Sequence, residues 1–192
     1  SVSQQRRMEE NDVLLTDFLN AIHVNPPVPY DVKFVPGHIV EKYVGVYSAG
    51  YFPFHQTYVI PSELDGPLLT MLLLHEGLHH NSRGLRSIGK ILDEGVTEYA
   101  AWKIATSSLK DFLIDAADTN YPLDLQAQEL ERKVLGVKNS YAPALFLACR
   151  VIEAVGEDVV FEAYFKGNIK VLIAALGKDA IRQLKGLDKL KP

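Results

Sequence analysis

Cysteine is nearly absent: Cys149 is the only one in 192 residues. A single thiol makes neither an internal disulfide nor a zinc knuckle, so cysteine usage does not fix the compartment. It lies in the apolar run 144–151, where a buried structural thiol is the expected reading. Long hydrophobic runs are missing as well. The densest, 68–74, is broken by Thr70 and is far shorter than the roughly 20 residues that span a bilayer, so it suits a buried helix and no transmembrane segment is expected. There is no excess of positive charge. The net charge is -4 and the pI about 5.9, and a nucleic-acid partner would want a basic face. Internal repeats and low-complexity tracts are absent too. The chain begins at Ser1 rather than methionine, as a processed or trimmed form would, which leaves cytoplasmic and exported or anchored forms open. Oligomeric state is equally open.

What is present suffices for one core. Hydrophobic residues make up 47% of the chain, and 192 residues favour one domain over two. Apolar residues at helical spacing in 5–23 predict an amphipathic helix, ended by Pro26, Pro27 and Pro29. Segments 30–35 and 39–47, rich in valine, tyrosine and phenylalanine and punctuated by Pro36, Gly37 and Gly50, predict strands. A further short strand is predicted over 57–60. Asp65 is a candidate N-cap for a helix from about Pro67 to His80. A second helix is predicted from near Ile91 to about Ser107. Helical segments follow at roughly 124–135, 142–155, 157–165, 168–176 and 178–187, with Gly136, Gly156, Gly167 and Gly177 between them. Strands before residue 62 and helices after it make an α+β arrangement.

The informative segment is Leu74-His75-Glu76-Gly77-Leu78-His79-His80. Residues four apart on a helix project from nearly one face, one turn apart, so two neutral imidazoles at 75 and 79 can grip one zinc ion. Glu76 follows the first of them. Its carboxylate can reach a water in the metal's open position and take its proton. Chance would produce His-Glu-x-x-His in roughly one chain per hundred of this length or fewer. Here the motif also falls on a strongly apolar helix, where such residues are otherwise costly to bury. Such a site needs a third protein ligand. Asp93-Glu94-Gly95-Val96-Thr97-Glu98-Tyr99 supplies Glu94 and Glu98 on one face of the next helix. One of the two can bind the metal while the other accepts a histidine ring N–H, and spacing alone does not rank them. The ordinary alternative is a helix N-terminus enriched in acids for the macrodipole.

His75-Glu76-x-x-His79 followed by Glu94-Gly95-x-x-Glu98-Tyr99 resembles the gluzincin clan of zinc metallopeptidases, over about residues 43–102. The resemblance implies that Glu94 is the third ligand and that Glu98 supports a histidine. It implies one zincin-like catalytic domain over 1–192. An upper part, about 1–80, would carry a small mixed sheet and the active-site helix, and a lower helical part, about 81–192, would carry Glu94. It implies hydrolysis of a peptide or protein substrate by a zinc-activated water, with Glu76 as general base. It also implies that strand 57–60 is an edge strand pairing with the substrate backbone. The clan often stabilises the oxyanion with a tyrosine or histidine. Tyr141, opening a helix downstream of the glutamate helix, is chosen over Tyr121, against the alternative that both are half-buried packing residues.

Departures are visible. Asp93 stands where the clan often has asparagine, and the interval from His79 to Glu94 is short for a thermolysin-like enzyme. No Gly-x-Met-Glu-Asn segment of the M1 aminopeptidases is found. Metzincins would need a third histidine where Ser82 and Leu85 stand, the inverted His-x-x-Glu-His order is absent, and a cytidine deaminase needs two cysteines. His80 points about 100° away from His79 and reads as a helix C-terminal residue. His23, His38 and His55 lie in or beside turns. Two rival functions remain: a zinc hydrolase of a non-peptide amide or ester, and a catalytically silent zincin-like binding or regulatory module. Glu76 counts against the second, because a structural site has no need of that acid.

Overall fold

A computed structural model describes residues 2–24, 28–44, 50–52, 57–64, 66–108 and 142–188. Among the described residues the fold is mixed α+β and mostly helical, with one small sheet. The chain divides into two compact units, Ser1–His80 and Asn81–Pro192.

The first unit opens with helix α1, Val2–Ala21. Its buried positions are Gln4, Asn11, Leu15 and Leu19, so two polar residues share the stripe with two leucines. Both amides are satisfied by main-chain carbonyls. Gln4 Nε2 donates to Ser62 and Leu64 at 2.9 and 3.0 Å, and Asn11 Nδ2 donates to Thr70 at 3.1 Å. These bonds make the burial of polar groups tolerable and set the register of the helix. The sheet contains β1, Asp31–Val35; β2, Gly50–Phe52; and β3, Thr57–Pro61. Its order is β1-β3-β2, with β1 parallel and β2 antiparallel to β3. The strand expected at the edge is therefore central. Four of its five residues are buried, whereas β1 exposes Asp31 and Lys33 and turns Val32 and Phe34 towards the core. That core gathers Tyr58, Ile60, Leu69 and Leu73, with Met8, Tyr30 and Leu72 packed against them.

Of the strand expected over 39–47, residues 45–47 lie outside the described residues, and 39–44 is helical instead. Gly37–Val44 is a helix, α2. Its first N–H, on Gly37, donates to both oxygens of Glu63 at 3.0 and 2.9 Å, and the Pro36 carbonyl accepts from Ile39 and Val40 at 2.8 and 3.3 Å. A carboxylate 26 residues downstream caps the helix and overrides the β preference of its valines and isoleucine. The unit ends with α3, Gly66–His80, which packs against α1. Asp65 lies outside the described residues.

The second unit contains α4, Lys90–Ser108; α5, Ala142–Val155; α6, Glu157–Lys166; α7, Ile169–Leu176; and α8, Lys178–Leu187. Its core is built from Leu92, Val96, Ala100, Leu145, Ala148 and Tyr164, all fully buried. Cys149, expected to be buried, is half-buried. The expected helix 124–135 lies outside the described residues, as do Tyr121 and Tyr141. Among the described residues, no helix is long and apolar enough to cross a membrane.

Candidate metal centre

Helix α3 is buried on most of its surface, and leucines set its orientation: Leu74 and Leu78, each directly before a histidine, are fully buried. One turn apart, the rings of His75 and His79 have centroids 4.8 Å apart, inclined at 73°. His75 is buried; His79 and Glu94 are half-buried. One ligand atom from each of His75, His79 and Glu94 lies within 4.8 Å of the others. Among the described residues this is the one such group of three or more that can hold a metal ion.

Two glycines next to the acids have a packing reason. A Cβ on Gly77 would sit 2.7 Å from Leu15 Cδ2 and 2.8 Å from the Tyr30 hydroxyl. A Cβ on Gly95 would run into the Ala144 carbonyl oxygen, so α4 and α5 cross there backbone to backbone. Both helices therefore approach a neighbour closely beside their acid.

Around Glu76 the neighbours are aromatic. The Tyr58 hydroxyl donates to the Glu76 carbonyl at 2.9 Å. Tyr30 stands edge-on to Tyr58, with centroids 5.2 Å apart, and His80 packs against both at 5.3 and 6.2 Å. Burial pushes the Tyr30 phenol well above its ordinary range, and the charges of Asp12 and Glu76 push it further the same way. It is thus a neutral hydroxyl at any ordinary pH. Burial also lowers His80 below the usual imidazole value, against a hydrogen bond to the Pro29 backbone.

Around Glu94 the neighbours are acids and hydroxyls. Asp93 is almost fully buried, and its carboxylate accepts from the Leu85 N–H and, at 3.4 Å, from Arg86 Nε. It thereby folds the loop before α4 back onto the helix. Thr97 Oγ1 donates to the Asp93 carbonyl at 2.8 Å and hydrogen-bonds the hydroxyl of Tyr164. Tyr164 is wholly buried. Its phenol is raised mainly by burial and secondarily by the charges of Asp93 and Glu94, against hydrogen bonds to Ser82 and Thr97 that lower it. Its carbonyl accepts from Arg83 and Gly84 at 2.9 and 3.1 Å, so the same residue holds both the loop and the helix. Glu98 is buried, and its Oε1 accepts the Trp102 indole N–H at 2.8 Å.

Sequence reasoning missed Tyr30, Tyr58, Tyr164 and the work of Asp93. Tyr58 and Glu76 are 18 residues apart, and Thr97 and Tyr164 are 67 apart. No local pattern signals such pairs. Asp93 did carry a signal, as an acid beside the Glu94 motif, but its partners lie in a loop whose path the spacing does not show. Comparison with protein-family models, with curated proteins and with solved structures finds no match for this chain.

Proposed function

We propose that this chain is a zinc-dependent hydrolase of peptide bonds, one catalytic domain with a zincin-like fold. The observation that carries the reading is the convergence of His75, His79 and Glu94 to within 4.8 Å, with Glu76 following the first of them on the same helix. Two imidazoles and one carboxylate suit zinc and leave a fourth position open. Ligand atoms around a tetrahedral zinc lie about 3.3 Å apart, so modest rotations of the two rings and the carboxylate would close the group on an ion. Bound there, zinc would supply Lewis acidity that brings the pKa of a water towards 7 and polarises a carbonyl.

The chain's own residues do the rest. Glu76 takes the proton of the attacking water and passes it to the leaving amine. Glu98 accepts a histidine ring N–H and so fixes its tautomer, while Trp102 holds the other side of that carboxylate. Tyr141 is the proposed oxyanion donor, on its place in the sequence alone. A substrate backbone adding to the sheet would join an outer strand, β1 or β2, because β3 is already paired on both sides.

The test combines elemental analysis of the purified protein with cleavage of an unbiased peptide library, with and without chelator. One zinc per chain and chelator-sensitive cleavage are expected. Glu76→Gln should keep the zinc and lose about a thousandfold or more in turnover, because base and water orientation vanish together. Near-normal turnover in that variant, or a chain that takes up no zinc, would sink the proposal.

A further inference from the structure

Helix α4 has no side-chain cap of its own, because the residue before it is Gly89. The first N–H groups of a helix have no partner within it. Two of them here are taken by Asp188, which directly follows α8: its carboxylate accepts from Lys90 at 2.7 Å and from Ile91 at 3.1 Å. Those pairs are 98 and 97 residues apart in the chain. The contact is close at Gly89. A Cβ on Gly89 would meet the Leu184 carbonyl oxygen at 3.2 Å and Asp188 Oδ1 at 3.7 Å. Asp93 N–H donates to the Gly89 carbonyl at 3.1 Å, which closes the first turn, and Glu94 is the next residue. Where Glu94 stands therefore depends on that turn being closed.

We propose that Asp188 is a positioning residue for the metal centre: by capping α4 it holds the first turn, and with it Glu94, in the place where the carboxylate joins the two histidines. The inference rests on the metal reading above. A cap that serves stability alone would lower the melting temperature and leave zinc affinity in the folded protein unchanged. A positioning cap changes the affinity itself.

The experiment measures zinc affinity of the full chain by competition with a chromophoric chelator, with folding followed by circular dichroism. Asp188→Ala should weaken zinc about tenfold, the lower end of the loss seen when a group that orients a ligand is removed. Asp188→Asn keeps an acceptor oxygen suited to capping and should stay within about twofold of wild type. Lys90→Pro removes one of the two capped N–H groups at a position where proline is compatible with a helix, and should weaken zinc by about threefold. If Asp188→Ala does not fold, Lys90→Pro decides. Folded Asp188→Ala, or Lys90→Pro in its stead, with wild-type zinc affinity would overturn the assignment while leaving the metal reading intact. Wild-type protein that takes up no zinc would overturn both.

Discussion

Helix α3 is secured beside Glu76 by aromatic groups: a Tyr58 hydroxyl on the Glu76 carbonyl, and Tyr30 and His80 packed around it. Helix α4 is secured beside Glu94 by carboxylates: Asp93 on the Leu85 N–H and Asp188 on the N–H groups of Lys90 and Ile91. The difference follows from which end of each helix carries the proposed metal-binding residues. The histidines lie in the last turns of α3, close to the end where carbonyls lose their partners within the helix, and a buried phenol adds a donor there without bringing a charge into an apolar core. Glu94 lies just past the first turn of α4, where N–H groups need acceptors and the macrodipole favours negative charge. Charged acceptors also make the stronger hydrogen bonds. The α4 side should therefore tolerate less change in its polar contacts than the α3 side.

The largest effects are expected at the proposed ligands. His75→Ala or His79→Ala should abolish stoichiometric zinc. Glu94→Gln should come close to that, whereas Glu98→Gln should cost about 10–100-fold in affinity, as the loss of a group that orients a ligand does. Zinc dissociation constants for the four variants check the order. If Glu98→Gln proves worse than Glu94→Gln, the two acids exchange roles. Equal and small losses would mean that neither completes the site.

The two helices also differ in how far their neighbours can yield. At Gly95 the obstacle is the Ala144 backbone carbonyl; at Gly77 it is the ends of the Leu15 and Tyr30 side chains. A backbone obstacle moves only if α5 moves. Gly95→Ala should destabilise by about 3 kcal/mol or more, and Gly77→Ala by about 1–2 kcal/mol, since flexible side-chain ends can shift. Denaturant midpoints read the two directly. Equal losses would show that Tyr30 and Leu15 are as rigid as a helix backbone.

Legibility in the sequence divides along the same line. The neighbouring rings of His75 and His79 follow from a four-residue spacing on one helix, and Glu94 and Glu98 share a face for the same reason. Most helices stand out because their period is local. What holds them does not: the Tyr58 bond to Glu76, the Asp188 cap of α4 and the Glu63 cap of α2 join residues 18, 98 and 26 positions apart. The last of these also explains why 39–47 misleads. Its valines and isoleucine favour a strand, and nothing within the segment announces that a carboxylate beyond β3 will cap a helix over Gly37–Val44. The central place of β3 was hidden likewise, because pairing on its second side comes from the three residues of β2.

The smallest expected effect separates a neutral anchor from a charged one. Tyr58→Phe removes one hydroxyl and leaves the ring against Tyr30 and His80. The Glu76 carbonyl sits one turn from the end of α3 and has a second lone pair, so it does not become an orphan acceptor. The loss should be about 0.5–1.5 kcal/mol, a melting shift of a few degrees. Asp93→Ala removes an acceptor from a buried position and leaves the Leu85 N–H without the partner it has now. That desolvation cost is about 1–3 kcal/mol, to which the bond from Arg86 adds little because its side chain is 74% exposed. Asp93→Asn keeps an acceptor oxygen and should fall between the two. Thermal unfolding of all three variants ranks them, and a Tyr58→Phe loss equal to that of Asp93→Ala would mean that the aromatic anchor is as demanding as the charged one.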